Sequence, residues 1–188
     1  MKQIAVYCGS SGGVNGIYRE EAARLGKLLV ERGISLVFGG GKVGLMGCIA
    51  DAVLEAGGEA TGIIPTFLQI KEVAHEELSR MIPVESMHER KALIYDMSDG
   101  FIAMPGGFGT LDELFEMLTW GQLGLHGKPV GILNVNGYYD AILDSLDTMV
   151  SEGFLRQENR ELVLSDSSPE ILLEKMMAFK PLPVAKWL

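Results

Sequence analysis

The chain has 188 residues, 47% of them hydrophobic and 22% charged, which is enough apolar material for one core and excludes global disorder. Sixteen Lys and Arg against 25 Asp and Glu give a net charge of −9, a surface that repels phosphodiester polymers and argues against a nucleic-acid partner. Two cysteines, Cys8 and Cys48, cannot build a disulfide framework, and no Cys/His cluster has zinc spacing, so no metal is expected. Met1-Lys2-Gln3 runs straight into an apolar strand without a signal-peptide core. No apolar run approaches the roughly 18 residues of a membrane span, so the expected location is the cytoplasm.

Taken in order, short apolar runs alternate with longer amphipathic ones. Ile4 to Cys8 reads as a buried strand that breaks at Gly9-Ser10-Ser11-Gly12-Gly13, and a helix follows from about Tyr18 to Arg32 with Gly33 as its stop. Ile34 to Phe38 is a second strand, broken by Gly39-Gly40-Gly41, before a helix from Gly44 to Glu55. A third strand, Ala60 to Ile64, stops at Pro65, and residues 66–80 are irregular. Met81 to Val84 is the fourth strand, leading into a helix at Met87. The fifth, Gly100 to Met104, runs into Pro105-Gly106-Gly107-Phe108-Gly109 and a helix from Thr110 to about Leu123. Pro129 to Val135 is a sixth strand before a helix from Tyr138 to Ser151. Leu162 to Leu164 makes a short seventh, with a last helix from Pro169 to Ala178 and an extended tail at Pro181-Leu182-Pro183.

This alternation predicts a single α/β domain over residues 1–188, Rossmann-like, with a doubly wound parallel sheet of six to seven strands. Ligands of such sheets sit beyond the carboxyl ends of the strands, where strand order reverses. An order of 3-2-1-4-5-6 brings together the loops after strands one, two, four and five. Three of these are glycine clusters and the fourth opens with His88-Glu89-Arg90-Lys91.

Gly39-Gly40-Gly41-Lys42-Val43-Gly44 is a literal GxGxxG, but it follows the second strand, and no acid ends the next strand to hold a ribose hydroxyl. A nicotinamide site is therefore disfavoured; close strand–helix packing and a backbone nucleotide-binding loop remain open. Val43 stands where a P-loop needs Ser or Thr. In Pro105-Gly106-Gly107-Phe108-Gly109-Thr110-Leu111-Asp112-Glu113, the glycines allow a tight turn before a helix whose N–H groups and dipole suit a phosphate. Thr110 fits an N-cap and Glu113 completes a capping box, so Glu113 is either a structural cap or a reacting carboxylate, and its position in the crevice favours chemistry. Arg90 and Lys91 set positive charge against the dipole at a helix start, a departure from local rules that hints at function. His75 and His126 read as structural or surface residues, and Cys8 as core.

These segments resemble the Lonely-guy (LOG) family of phosphoribohydrolases, small α/β proteins also labelled lysine decarboxylases. The likeness runs over nearly the whole chain and is carried by PGGxGTxxE from Pro105 to Glu113, Met87-His88-Glu89-Arg90-Lys91 upstream, and the loops at Cys8-Gly9-Ser10-Ser11 and Gly39-Gly40-Gly41. The resemblance implies hydrolysis of the N-glycosidic bond of a nucleoside 5′-monophosphate, either a cytokinin riboside monophosphate or AMP, to free base and ribose 5-phosphate. It implies Arg90 and Glu113 as the catalytic pair. Glu72, Lys91, Gly106, Gly107, Phe108, Gly109, Thr110 and Thr119, with Gly9 and Ser10 of the first loop, are implied as substrate-binding. It also implies a homodimer and no cofactor, since nothing reads as a pyridoxal-phosphate lysine. The alternative is a non-catalytic nucleotide carrier or sensor with the same crevice.

Overall fold

The alternating apolar residues of the first run form strand β1 (Gln3–Tyr7), buried on both faces at the centre of the sheet. Ile4 and Val6 pack to one side and Ala5 and Tyr7 to the other. The structure, a computed structural model, describes residues 1–68 and 74–181. In chain order the remaining strands are β2 (Ser35–Phe38), β3 (Ala60–Pro65), β4 (Arg80–Val84), β5 (Gly100–Ala103), β6 (Val130–Leu133) and β7 (Val163–Asp166). The helices are α1 (Ile17–Glu31), α2 (Gly44–Glu55), α3 (Met87–Met97), α4 (Phe108–Gln122), α5 (Asp140–Ser151), α6 (Gln157–Arg160) and α7 (Pro169–Ala178).

All seven strands are parallel, in the order β4-β3-β2-β1-β5-β6-β7. Helices α1, α2 and α7 cover one face, and α3, α4 and α5 the other. The doubly wound α/β expectation therefore holds, with one correction to the strand order. The fourth strand does not pair with the first. It lies at the sheet edge against β3, from Thr61↔Arg80 to Pro65↔Val84, and β5 takes the place beside β1, from Ile4↔Gly100 to Tyr7↔Ala103. Pro83 explains this: it has no N–H to give to a neighbouring strand, a gap tolerated at a sheet edge, and β4 is correspondingly half-exposed. Gly100, Phe101, Ile102 and Ala103 are all buried, as a central strand requires.

The reversal of strand order thus falls between β1 and β5. Helix α3 makes the return crossing, packing on β3, β2 and β1 on its way from the sheet edge. Its N-terminal turn lies beyond the carboxyl ends of the strands, the side from which a parallel sheet is entered by ligand.

Candidate active site

The loops after β1 and β5 meet backbone to backbone at this reversal. Gly9 N donates to the Pro105 carbonyl at 3.0 Å, and the Gly9 carbonyl accepts from Leu45 N at 3.0 Å, tying in the start of α2. A Cβ on Gly106 would overlap the Thr110 side chain and stand 2.9 Å from Gly9 N, so this crossing requires glycine. Tyr138 donates its hydroxyl hydrogen to the Gly106 carbonyl at 2.7 Å, and the buried Tyr139 does the same to Met104 at 2.7 Å. The glycine turn is therefore braced from the α5 side. Ser10 is exposed at the rim.

Helix α4 begins earlier than its sequence suggests. Gly107 is the N-cap, in extended backbone, and Phe108 is the first helical residue. Thr110 is then the third helical residue, buried with its hydroxyl against Gly106, and no side chain caps the helix. The capping box expected at Thr110–Glu113 does not form, because the glycine turn supplies the N-cap itself. The N–H groups of the first turn have no partner inside the helix and carry the positive end of its dipole. Around Gly107 and Gly109 no described atom lies within 4 Å of an added Cβ, and Phe108 is 93% exposed. Nothing in the packing of the described residues demands glycine at those two positions, whereas close approach of a ligand would.

A side-chain N-cap forms instead on α3. Ser86 Oγ accepts from Glu89 N at 3.1 Å, and Glu89 Oε2 accepts from Glu85 N at 2.8 Å. This fixes the turn that carries Arg90. Arg90 and Ile94, one turn apart, are the buried residues of α3. Arg90 Nε donates to the Ile63 carbonyl at the end of β3 at 3.2 Å. Its guanidinium lies against Gly39 at the end of β2, where a Cβ would overlap it. Nη1 then stands 4.0 Å from Glu113 Oε1, too far for a hydrogen bond, with both side chains largely buried.

The end of β1 feels this pair. Burial, the negative charges of Glu113 and Glu116, and only a small opposing pull from Arg90 hold the Tyr7 phenol well above its ordinary value. Burial, helped by Glu113, likewise keeps the Cys8 thiol protonated. Cys8 is thus a core residue and no nucleophile.

Other expected positions lie differently. Lys91 Nζ is 2.8 Å from Asp112 Oδ2 and 3.3 Å from Glu116 Oε2, so its ammonium is engaged across the α3–α4 seam. Thr119 is exposed, donates to the Phe115 carbonyl at 2.7 Å, and sits about 9 Å along α4 from Glu113, apart from the pair. Glu72 lies outside the described residues. His75 is buried against Asp51 at 2.8 Å and accepts from Glu77 N, and His126 bridges Met117 and Lys128, so both are structural, as expected. Among the described residues no group of three or more His, Cys, Asp and Glu side chains is arranged to hold a metal ion. No helix of the described chain is long and apolar enough to cross a membrane. A cavity of about 790 Å³ opens at the far end of α4, between Met117, His126, Val130 and Asn159, and contains none of the expected site residues.

Comparison with known proteins places the chain in a family. The family model described as "Possible lysine decarboxylase" matches residues 46–176. The cytokinin riboside 5′-monophosphate phosphoribohydrolase LOG of Oryza sativa subsp. japonica is 47% identical over 180 residues, covering 96% of this chain and 74% of that protein. LOG5 of Arabidopsis thaliana is 47% identical over 180 residues, covering 96% and 79%. The molybdenum cofactor binding protein of Rippkaea orientalis shares the fold at a TM-score of 0.70 and 24% identity, covering 94% of this chain and 96% of that one. With nearly half its residues matched over almost all of its length, the chain belongs to the LOG family, whose members also carry the lysine decarboxylase description.

Proposed function

We propose that this protein hydrolyses the N-glycosidic bond of a nucleoside 5′-monophosphate, a cytokinin riboside monophosphate or AMP, to free base and ribose 5-phosphate. The observation that carries the reading is the buried Arg90–Glu113 pair, 4.0 Å apart at the strand reversal and beside the open N-terminus of α4. The phosphoribohydrolase relatives support the same assignment.

In this mechanism the Phe108, Gly109 and Thr110 N–H groups hold the 5′-phosphate, with the helix dipole favouring its charge. The ribose lies across Glu113. As the C1′–N bond breaks, its electron pair goes to the base and positive charge develops on the sugar. The Glu113 carboxylate stabilises that charge and orients the attacking water. The water oxygen bonds to C1′, and one of its protons balances the departing base. A guanidinium is a poor proton donor in the chemical sense but a strong hydrogen-bond donor, so Arg90 serves to orient the nucleotide rather than as a general acid. Asp112 is mostly exposed and paired with Lys91, which leaves it poorly suited to protonate the base. A lysine acting in decarboxylation through a Schiff base needs a depressed pKa. Lys91 is the reverse: burial opposes its charge, but hydrogen bonds and attraction from Asp112 and Glu116 raise it overall.

We take the working unit to be a cytoplasmic homodimer that uses no cofactor. Chromatography of protein incubated with AMP, isopentenyladenosine monophosphate and adenosine in parallel tests the reading. Free base from the monophosphates, with little from adenosine, is expected. Tight AMP binding without base release would leave a carrier in its place.

A further inference from the structure

Four successive carbonyls lead the chain from β5 into α4, and each has a partner. Met104 accepts from the Tyr139 hydroxyl at 2.7 Å and Pro105 from Gly9 N at 3.0 Å. Gly106 accepts from the Tyr138 hydroxyl at 2.7 Å and Gly107 from Leu111 N at 3.1 Å. A trans peptide points its C=O and N–H in opposite directions, so a partner on the carbonyl also aims the N–H of the next residue. Behind the Met104 carbonyl stands Pro105, which has no N–H to aim. Behind the Gly106 carbonyl stands the N–H of Gly107, the N-cap of α4.

The Gly106–Gly107 peptide is also the unit of this turn that is free to reverse. Reversal carries Gly107 from φ −95° into the left-handed region, which glycine enters at little cost. It would present a carbonyl where an anion needs a donor. The loop after β6 is shaped to hold the hydroxyl that prevents this. It turns through Asn136 at φ 53°, the one non-glycine residue of positive φ among the described residues, and Gly137 at φ 69°. Asn134 locks the turn: its Oδ1 accepts from Tyr139 N at 2.8 Å and its Nδ2 donates to Asp140 Oδ1 at 2.7 Å. The Tyr138 ring is met edge-on by Tyr18, with centroids 5.9 Å apart, and by Tyr139 at 4.9 Å.

We propose that Tyr138 is a positioning residue for the 5′-phosphate of the substrate. Its hydroxyl holds the Gly106–Gly107 peptide so that the Gly107 N–H joins those of Phe108, Gly109 and Thr110 at the start of α4. The proposal rests on the phosphoribohydrolase reading for the identity of the anion. That reading fails by itself if the wild-type protein releases no base from AMP, whereas calorimetry with ribose 5-phosphate tests the tyrosine without turnover.

The test is Tyr138→Phe, which removes one oxygen from a side chain that is 45% exposed and so preserves the fold. Water satisfies the freed carbonyl in either orientation of the peptide and no longer selects one. The Kd of ribose 5-phosphate should rise about three- to tenfold, the worth of one hydrogen bond. With AMP, KM should rise by the same factor at nearly unchanged kcat, as loss of an interaction made equally in ground and transition states requires. Tyr139→Phe is the control, because it removes a hydroxyl–carbonyl bond of equal length that aims no N–H. It should lower the urea midpoint and leave the Kd of ribose 5-phosphate within about twofold of wild type. An unchanged Kd in Tyr138→Phe, or no binding of ribose 5-phosphate by the wild-type protein, would overturn the proposal. So would an equal loss of affinity in Tyr139→Phe, or a fall in kcat as large as the rise in KM, either of which makes Tyr138 a general brace of the turn.

Discussion

Gly39 is the residue on which the placement of Arg90 turns. A methyl group there overlaps the guanidinium, which is held on its other side by the Ile63 carbonyl and cannot simply swing away. Gly39→Ala should therefore destabilise the fold by about 1–3 kcal/mol through overpacking and lower kcat/KM on AMP by displacing Arg90. Urea unfolding and steady-state kinetics on one preparation check both halves. A stable alanine variant of full activity would mean that Arg90 works from another position. Arg90 and Glu113 were legible in the sequence because each sits in a local pattern with a chemical oddity, a cation at a helix start and an acid behind a glycine turn. The engagement of Lys91 was not. Its partners lie 21 and 25 residues downstream and meet it only once two helices pack. Tyr138 escaped for the same reason, being 32 residues from the carbonyl it braces.

At the scale of elements, every strand and long helix could be read from apolar periodicity, with the starts of α2, α3 and α7 at the residues expected and those of α4 and α5 displaced by two. A Thr three residues ahead of a Glu is a capping signal, yet α4 begins at Phe108 because glycine provides the cap at no steric cost. At α3 a side chain does cap the helix, Ser86 Oγ accepting from Glu89 N. Helix α6 escaped the reading because four residues carry no periodicity.

The turn from α4 to β6 is closed by His126, whose Nε2 bonds the Met117 carbonyl at 2.8 Å while Nδ1 accepts from Lys128 N at 3.1 Å. Burial, reinforced by the Lys128 charge and opposed by those backbone bonds, lowers its pKa below the ordinary 6.5. The folded chain therefore binds a proton here less readily than the unfolded one. This contribution to stability is fully present above 6.5 and is lost as pH falls from there through the lower folded value. His126→Gln keeps a donor and abolishes the titration. The difference in urea midpoint between wild type and variant should narrow from pH 7.5 to pH 5, and a difference independent of pH would contradict this assignment.

For the molecule as a whole, strand–helix alternation was sufficient to give a doubly wound parallel sheet, and the strand order was the part it could not settle. Pro83 marks β4 as an edge strand, and reading it so places β5 beside β1. The corrected order moves the crevice to the β1–β5 boundary, where the Gly9 and Gly106 turns touch. Arg90 still reaches it, because α3 returns across β3 and β2 with the guanidinium turned toward Glu113. The four unusual segments thus converge by a route different from the expected one, with strand ends supplying the floor and two helices supplying the charges.

The claim at the centre of this account is that the Glu113 carboxylate acts on the bond between sugar and base. Glu113→Gln preserves the size of the side chain and removes its charge. We expect the variant to keep AMP binding by calorimetry and to release adenine about 10²-fold or more slowly than wild type by chromatography. Adenine release at the wild-type rate from a variant that binds AMP normally would contradict the claim.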